Sequence, residues 1–303
     1  MRIYQSVIIA SLCLSGCAST STHLPKQNVA SVETPPQIQV RPASRTSAHL
    51  FAIEDPLTLA VEARSRGDDE KAFEHFYAAW RATPQNQDVA SGLIDMALKT
   101  GNKDVAYAAS LRIRLAVEDV KPSLLSAQVL AEIAVGKSAD PELRLNQALE
   151  FSPNDARLWN ALGRFHDSNG QFSRAREYYV KAVTNGGNRA VAINNLGMSH
   201  LLAGEKALAL DKFKQAVELA PGSALYDNNR RLTLALKSDY LGATANLASG
   251  DAANILNDAG FIAKSRGDGA QAITLFEAAI KQSRVYHAKA HNNLKRAKEL
   301  SEN

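Results

Sequence analysis

The chain has 303 residues, 45% of them hydrophobic and 22% charged, with a formal net charge of +4. That profile belongs to a folded globular protein and argues against a disordered one. The positive excess is small and spread out, with no dense Lys/Arg run and few basic residues among aromatics, which argues against nucleic acid as a partner.

Residues 1–16 carry the marks of an export signal. Arg2 precedes an apolar run from Val7 to Leu14. The run is too short to cross a bilayer as a helix, which takes roughly 20 apolar residues. It ends on Leu14-Ser15-Gly16-Cys17, which resembles a bacterial lipobox, so cleavage before Cys17 and diacylglycerol on its sulfur are expected. Cys13 is a poorer candidate, because Leu12 would sit at the cleavage site. The alternative is an ordinary cleaved signal followed by an incidental cysteine. Several acyl chains, at about 0.8 kcal/mol per buried CH₂, hold a protein at a membrane where one chain is marginal. Lipidation also consumes the one cysteine left after cleavage, so no thiol remains for catalysis, a disulfide or a thiolate metal site. Ala18 rather than Asp follows Cys17, which resembles the outer-membrane sorting class of diderm bacteria. Residues 17–52, with Pro25, Pro35, Pro36 and Pro42 among Ser, Thr, Gln and Val, show no helical period and are expected to form a tether.

From residue 53 to residue 303 the chain repeats itself. The stretch NNLGMSHLLAGEKALALDKFKQAVELAPG, residues 194–222, aligns with the sequence 34 residues earlier. Gly197 meets Gly163, Gly204 meets Gly170, Ala209 meets Ala175, Phe213 meets Tyr179 and Ala216 meets Ala182. Walking the period outward places unit starts near Ile53, Gln87, Pro122, Ala156, Ala190, Ala224 and Ala253. Turn glycines recur at Gly67, Gly101, Gly136, Gly170, Gly204 and Gly267, with Ser238 in the gap. Pro84, Pro153 and Pro221 fall where a second helix should stop. Small residues let two antiparallel helices approach closely, and the large residue four positions later fills the space beside them. Glycine at the turn accepts the positive φ that ends a first helix. One such hairpin cannot bury its apolar face alone, so neighbours must stack.

The pattern resembles the tetratricopeptide repeat, whose period is about 34 residues. It predicts an all-α solenoid of about seven helix pairs over 53–303, with a charged capping helix from about Tyr286 to Leu300. The second, third and sixth units are degenerate. Pro141 sits where the small alanine belongs, and the step after the unit at Ala224 is short, so a distortion is expected there.

In that fold the first helix of each pair lines the concave face. Its fifth position holds Asn160, Asn194, Asn228 and Asn257, and its sixth adds Asn195, Asn229 and, in the cap, Asn292. A carboxamide both donates and accepts, so such a column suits the backbone of an extended peptide. Arg164, Arg230 and Arg231 lie beside it for a carboxylate, and Val191, Met198, Leu201 and Leu232 supply apolar contacts. The alternative is that the asparagines bond each other between repeats.

No catalytic residue and no cofactor is expected. There is no phosphate-binding glycine loop and no G-x-S-x-G elbow. His166 and His200, one repeat apart, read as rings packed between helices. His287 and His291 share a helix face, but no third ligand is evident and a metal site is not expected.

Residues 192–236, AINNLGMSHLLAGEKALALDKFKQAVELAPGSALYDNNRRLTLAL, resemble more than a generic repeat. They look like the TadD family, the repeat-containing lipoproteins of Flp (tight adherence) pilus assembly. The portion from Pro221 to Leu236 carries most of the likeness, because Arg230 and Arg231 stand where a large apolar and a small residue belong. The resemblance implies a non-enzymatic, pilotin-like accessory at the periplasmic face of the outer membrane, assisting a secretin or another pilus component. The alternatives are a repeat lipoprotein of another system (a type IV pilus pilotin, or a scaffold in barrel assembly or for peptidoglycan enzymes) and a docking accessory for a cell-wall hydrolase.

Overall fold

The computed structural model describes residues 55–114 and 119–301, so the expected signal, the lipobox at Cys17 and the tether lie outside the described residues. Among the described residues there are fifteen helices and no strand. They form successive antiparallel pairs: α1 (Pro56–Ser65) with α2 (Asp69–Ala82), α3 (Gln87–Lys99) with α4 (Lys103–Arg114), and α5 (Pro122–Ala134) with α6 (Pro141–Phe151). They continue with α7 (Ala156–Ser168) and α8 (Phe172–Thr184), then α9 (Arg189–Leu202) and α10 (Lys206–Leu219). The last pairs are α11 (Ala224–Leu236) with α12 (Tyr240–Thr244) and α13 (Ser249–Ser265) with α14 (Gly269–Gln282); α15 (Ala288–Ser301) caps the stack. No described helix is long and apolar enough to cross a membrane.

Local chemistry sets the helix ends. Asn86, Asp155, Asn188 and Ser223 cap α3, α7, α9 and α11 by accepting backbone N–H bonds, which satisfies donors the helix itself leaves open. Six turn glycines of the repeat have φ between +69° and +88°. In the sixth unit Ser238 takes φ of +66° where that glycine is missing, a conformation costing an ordinary residue roughly 1 kcal/mol.

The small-to-large pairing acts inside the hairpins of the fourth, fifth and seventh units. A Cβ on Gly163 would stand 2.5 Å from Tyr179, and one on Gly260 would stand 2.6 Å from Phe276. The glycine therefore admits the ring, and the ring fills the seam: Tyr179, Phe213 and Phe276 are all buried. In the first unit Phe76 is shared forward, against Gly92 of α3. That explains why the second unit looks degenerate, since its glycine stands outside the usual register.

The third unit departs from the sequence reading at Pro141. Pro141 occupies the first turn of α6, where its missing N–H costs nothing, and Asp140 caps the helix. The helix starts late, and its inward positions are Leu145, Ala148 and Leu149, all buried.

The sixth unit is distorted as expected. Its second helix, α12, has only 5 residues. The seventh unit closes the gap by reaching back to the fifth. Lys206 of α10 donates to the carbonyl of Leu236 at 2.9 Å and to Gln271 Oε1 of α14 at 2.9 Å. Gln271 donates to the same carbonyl at 3.0 Å, and Arg266 donates to the carbonyl of Leu201 at 2.6 Å. Phe213, Leu236, Ala243, Phe276 and Ala290 consequently share one buried core across units five to seven and the cap. The stack is irregular at this point, but its core is continuous.

Candidate functional site

The first helices of successive pairs run side by side, on the side that is the inner face of a tetratricopeptide solenoid. The structure brings most of the expected asparagines together, and it bonds them to one another. Asn195 on α9 donates to Asn160 Oδ1 on α7 at 2.8 Å. Asn229 on α11 donates to Asn194 Oδ1 on α9 at 2.8 Å. Asn293 on α15, rather than Asn292, donates to Asn257 Oδ1 on α13 at 3.0 Å. Each rung joins the sixth position of one unit, or its counterpart in the cap, to the fifth position of the unit before. Asn194, Asn229 and Asn257 are 5%, 3% and 4% exposed, which places them in the floor between helices. A residue carrying donor and acceptor can continue such a ladder from repeat to repeat, so Asn recurs despite its modest helix propensity.

One rung is open. Asp258 stands at the sixth position of the seventh unit and Asn228 at the fifth position of the sixth, yet no hydrogen bond joins them. Among the described residues the Asn228 carboxamide makes no hydrogen bond, and its side chain is half-buried. Asp258 accepts from Asn257 at 3.2 Å, and burial pushes its carboxyl above the ordinary range. Phe261, one turn further along α13, is exposed.

Arg230 and Arg231 are occupied by the protein itself. Both grip Asp227, Arg230 through Nε at 2.9 Å and Nη2 at 2.5 Å, and Arg231 through Nε at 2.6 Å. Arg231 also donates to the carbonyls of Ala243 and Ala245 at 3.1 and 2.8 Å, where α12 ends. These bonds hold Asp227 charged and below the usual carboxylate range, against the burial that opposes it. The pair that breaks the repeat pattern thus braces the shortened sixth unit. Arg164 on α7 is exposed and forms no ion pair among the described residues. Val191 is exposed and Met198 half-buried, whereas Leu201 and Leu232 belong to the core.

The histidines serve packing. His166 is buried, stacked on Tyr178 at 5.0 Å with Phe165 edge-on, and its Nδ1 lies 2.5 Å from Gln171 Oε1. His200, half-buried one unit on, repeats only the ring-nitrogen contact, with Nδ1 at 2.5 Å from Glu205. Both ring nitrogens of His287 are engaged: Nε2 with Asn254 at 3.1 Å, and Nδ1 accepting from the Ala290 amide at the start of α15. Among the described residues no group of three or more His, Cys, Asp or Glu could hold a metal. Asp167 is buried beneath the Tyr179 hydroxyl, which donates to it at 2.8 Å, and burial raises its carboxyl to about 6.

One feature of this face had no signal in the sequence. Arg157 of α7 bonds Asp155 through Nε at 2.9 Å and Nη2 at 2.6 Å, and its Nη1 reaches Asp95 of α3. A spacing of 62 residues matches no multiple of the repeat, so periodicity does not reveal it.

Comparison with known proteins agrees with this architecture. Residues 145–177 and 166–224 match two models of the tetratricopeptide repeat. No curated protein sequence matches the chain. Among solved structures it is similar to the human IFIT1 dimer with m7Gppp-AAAA, at 16% identity and a TM-score of 0.59 over 81% of this chain and 63% of that one. It is similar to the APC/C hetero-tetramer Cut9-Hcn1 at 16% identity and a TM-score of 0.50, over 80% of this chain and 42% of that one. It also aligns with Pseudomonas aeruginosa pilF at 17% identity and a TM-score of 0.48, over 68% of this chain and 95% of that one. The chain therefore spans less than half of the Cut9-Hcn1 chain and under two thirds of IFIT1, and likeness at this identity speaks to fold alone. By fold, and by the sequence of residues 145–224, the chain is similar to tetratricopeptide-repeat solenoids.

Proposed function

We propose that the protein is a non-enzymatic assembly lipoprotein whose inner face holds an extended segment of a partner protein. The observation that carries this reading is the uneven use of that face. Most of its asparagine groups are spent on the ladder, but Asn228, Arg164, Val191 and Phe261 remain open along successive first helices. Together they offer an amide, a cation and apolar surface, which is what the backbone, acidic and apolar groups of an extended chain require. The site needs no cofactor.

The finer identity rests on sequence. The lipobox at Cys17 and the following Ala18 support anchoring at the periplasmic face of the outer membrane, and residues 17–52 supply reach from it. The likeness of Pro221–Leu236 to the TadD family supports a pilotin-like role in the Tad (Flp pilus) system, with the secretin or a neighbouring pilus-assembly component as the protein held. The ion pairs of Asp227 with Arg230 and Arg231 give that stretch a physical rationale, because they brace a unit whose second helix is too short to support itself.

The test is the yield of secretin multimers in outer-membrane fractions. Cys17→Ala removes the anchor, and Arg164→Glu combined with Asn228→Ala alters the inner face. Both variants are expected to lower the multimer yield at unchanged protein level. A yield equal to the parent in both contradicts the proposal.

A further inference from the structure

In a solenoid each repeat ordinarily touches only its neighbours, so a direct bond that skips a repeat constrains the curvature of the stack. Among the described residues two such ties stand out. The one around Lys206 compensates for the shortened sixth unit. The other, between Asp95 in the second unit and Arg157 in the fourth, skips a third unit that has both its helices.

Arg157 is held in position to make this bond. Asp155, the N-cap of α7, accepts from the Arg157 backbone N–H at 3.0 Å and takes its guanidinium in a two-pronged grip. The remaining prong, Nη1, is thereby aimed at Asp95. Such planar, bidentate geometry is particular to arginine. The charged groups facing Asp95 are Arg157 and Asp155 at the start of α7 and Arg64 on α1. The intervening α5 has one charged residue, Glu132, which pairs with Arg144 at 3.3 Å.

We propose that Arg157 and Asp95 form a clasp that draws α7 toward α3, and that it opens when Asp95 takes a proton, widening the inner face over the second to fourth units. Protonation leaves Arg157 bound to Asp155, so the arginine stays in place and only the pull on α3 is lost. Burial raises the Asp95 carboxyl to about 6, with Asp155 adding to the rise and Arg157 and Arg64 opposing it. Opening therefore falls in mildly acidic solution. The clasp belongs to the chain itself and is independent of what the inner face binds.

The test uses the full chain with Cys13 and Cys17 replaced by Ser and nitroxides placed at Lys99→Cys on α3 and Arg164→Cys on α7. Pulsed electron resonance should show the distance lengthening between about pH 7.5 and about pH 5, the range in which a carboxyl at about 6 titrates. Asp95→Asn should give the longer distance at both pH values, and so should Arg157→Gln, with circular dichroism confirming that both are folded. A second pair at Leu208→Cys and Thr274→Cys should not respond. A parent distance that ignores pH overturns the proposal. So does an Asp95→Asn protein that keeps both the short distance and the pH response.

Discussion

Replacing Asn229 by Ala removes a side chain that is 3% exposed and donates at 2.8 Å to Asn194 Oδ1, itself in a residue 5% exposed. The lost bond is worth about 1 kcal/mol, and leaving a buried acceptor unpaired adds about 1–3 kcal/mol. Asn229→Ala should therefore cost about 2–4 kcal/mol, and Asn194→Ala a similar amount, since it strands the Asn229 amide. The double variant strands neither group. Its cost should fall short of the sum by about 3 kcal/mol, the upper end of the coupling seen between bonded neighbours. Asn195 and Asn160 are only half-buried, so water can replace that rung and its coupling should be about 0.5 kcal/mol. Equilibrium urea unfolding of the four members of each cycle measures both values. Single-variant costs that simply add at Asn194 and Asn229 would refute the ladder as a structural element.

Three further predictions follow from the packing and the buried charges. Gly163→Ala brings a Cβ to 2.5 Å from a Tyr179 ring that is 1% exposed and tied to Asp167, so the ring has nowhere to go. Overpacking of about 1–3 kcal/mol should outweigh the roughly 1 kcal/mol gained in helix propensity, and thermal unfolding should show a net loss. Lys206→Ala should loosen α13 to α15 by about 1–2 kcal/mol, read as faster amide exchange there than in α7 and α8. Asp167 has its folded-state carboxyl raised to about 6, so its contribution to stability is complete below the ordinary value of 3.8 and is lost as pH rises through about 6. Asp167→Asn should consequently gain on the parent as pH rises from about 4 to about 7, by on the order of 1–3 kcal/mol. Melting curves at several pH values check it.

The helical hairpins were legible because their determinants are local and periodic. Gly163 with Tyr179 and Gly197 with Phe213 announce the seam in residue types alone, and Ser238 announced the irregular turn by replacing glycine. Pro141 misled because a proline at the first turn of a late-starting helix looks, in sequence, like a proline at an inward position. The asparagine column was visible as a pattern, but the choice between binding a peptide and bonding across repeats depends on side-chain burial, which spacing does not encode. Arg230 and Arg231 were legible as exceptions to the repeat; their work, gripping Asp227 and the carbonyls of Ala243 and Ala245, follows from the shortness of α12. The reach of Arg157 to Asp95 crosses a whole unit and leaves no mark in the period.

The central claim, that the inner face grips another chain, is tested most directly by photocrosslinking from single positions in the native cell envelope. A benzophenone side chain at Asn228 or Arg164 should trap one partner protein, and peptide mapping should place the attachment within a single short segment of it. The same group at Leu208 or Phe151, exposed on second helices, should trap little. Crosslinks arising only from Leu208 or Phe151 would contradict the account.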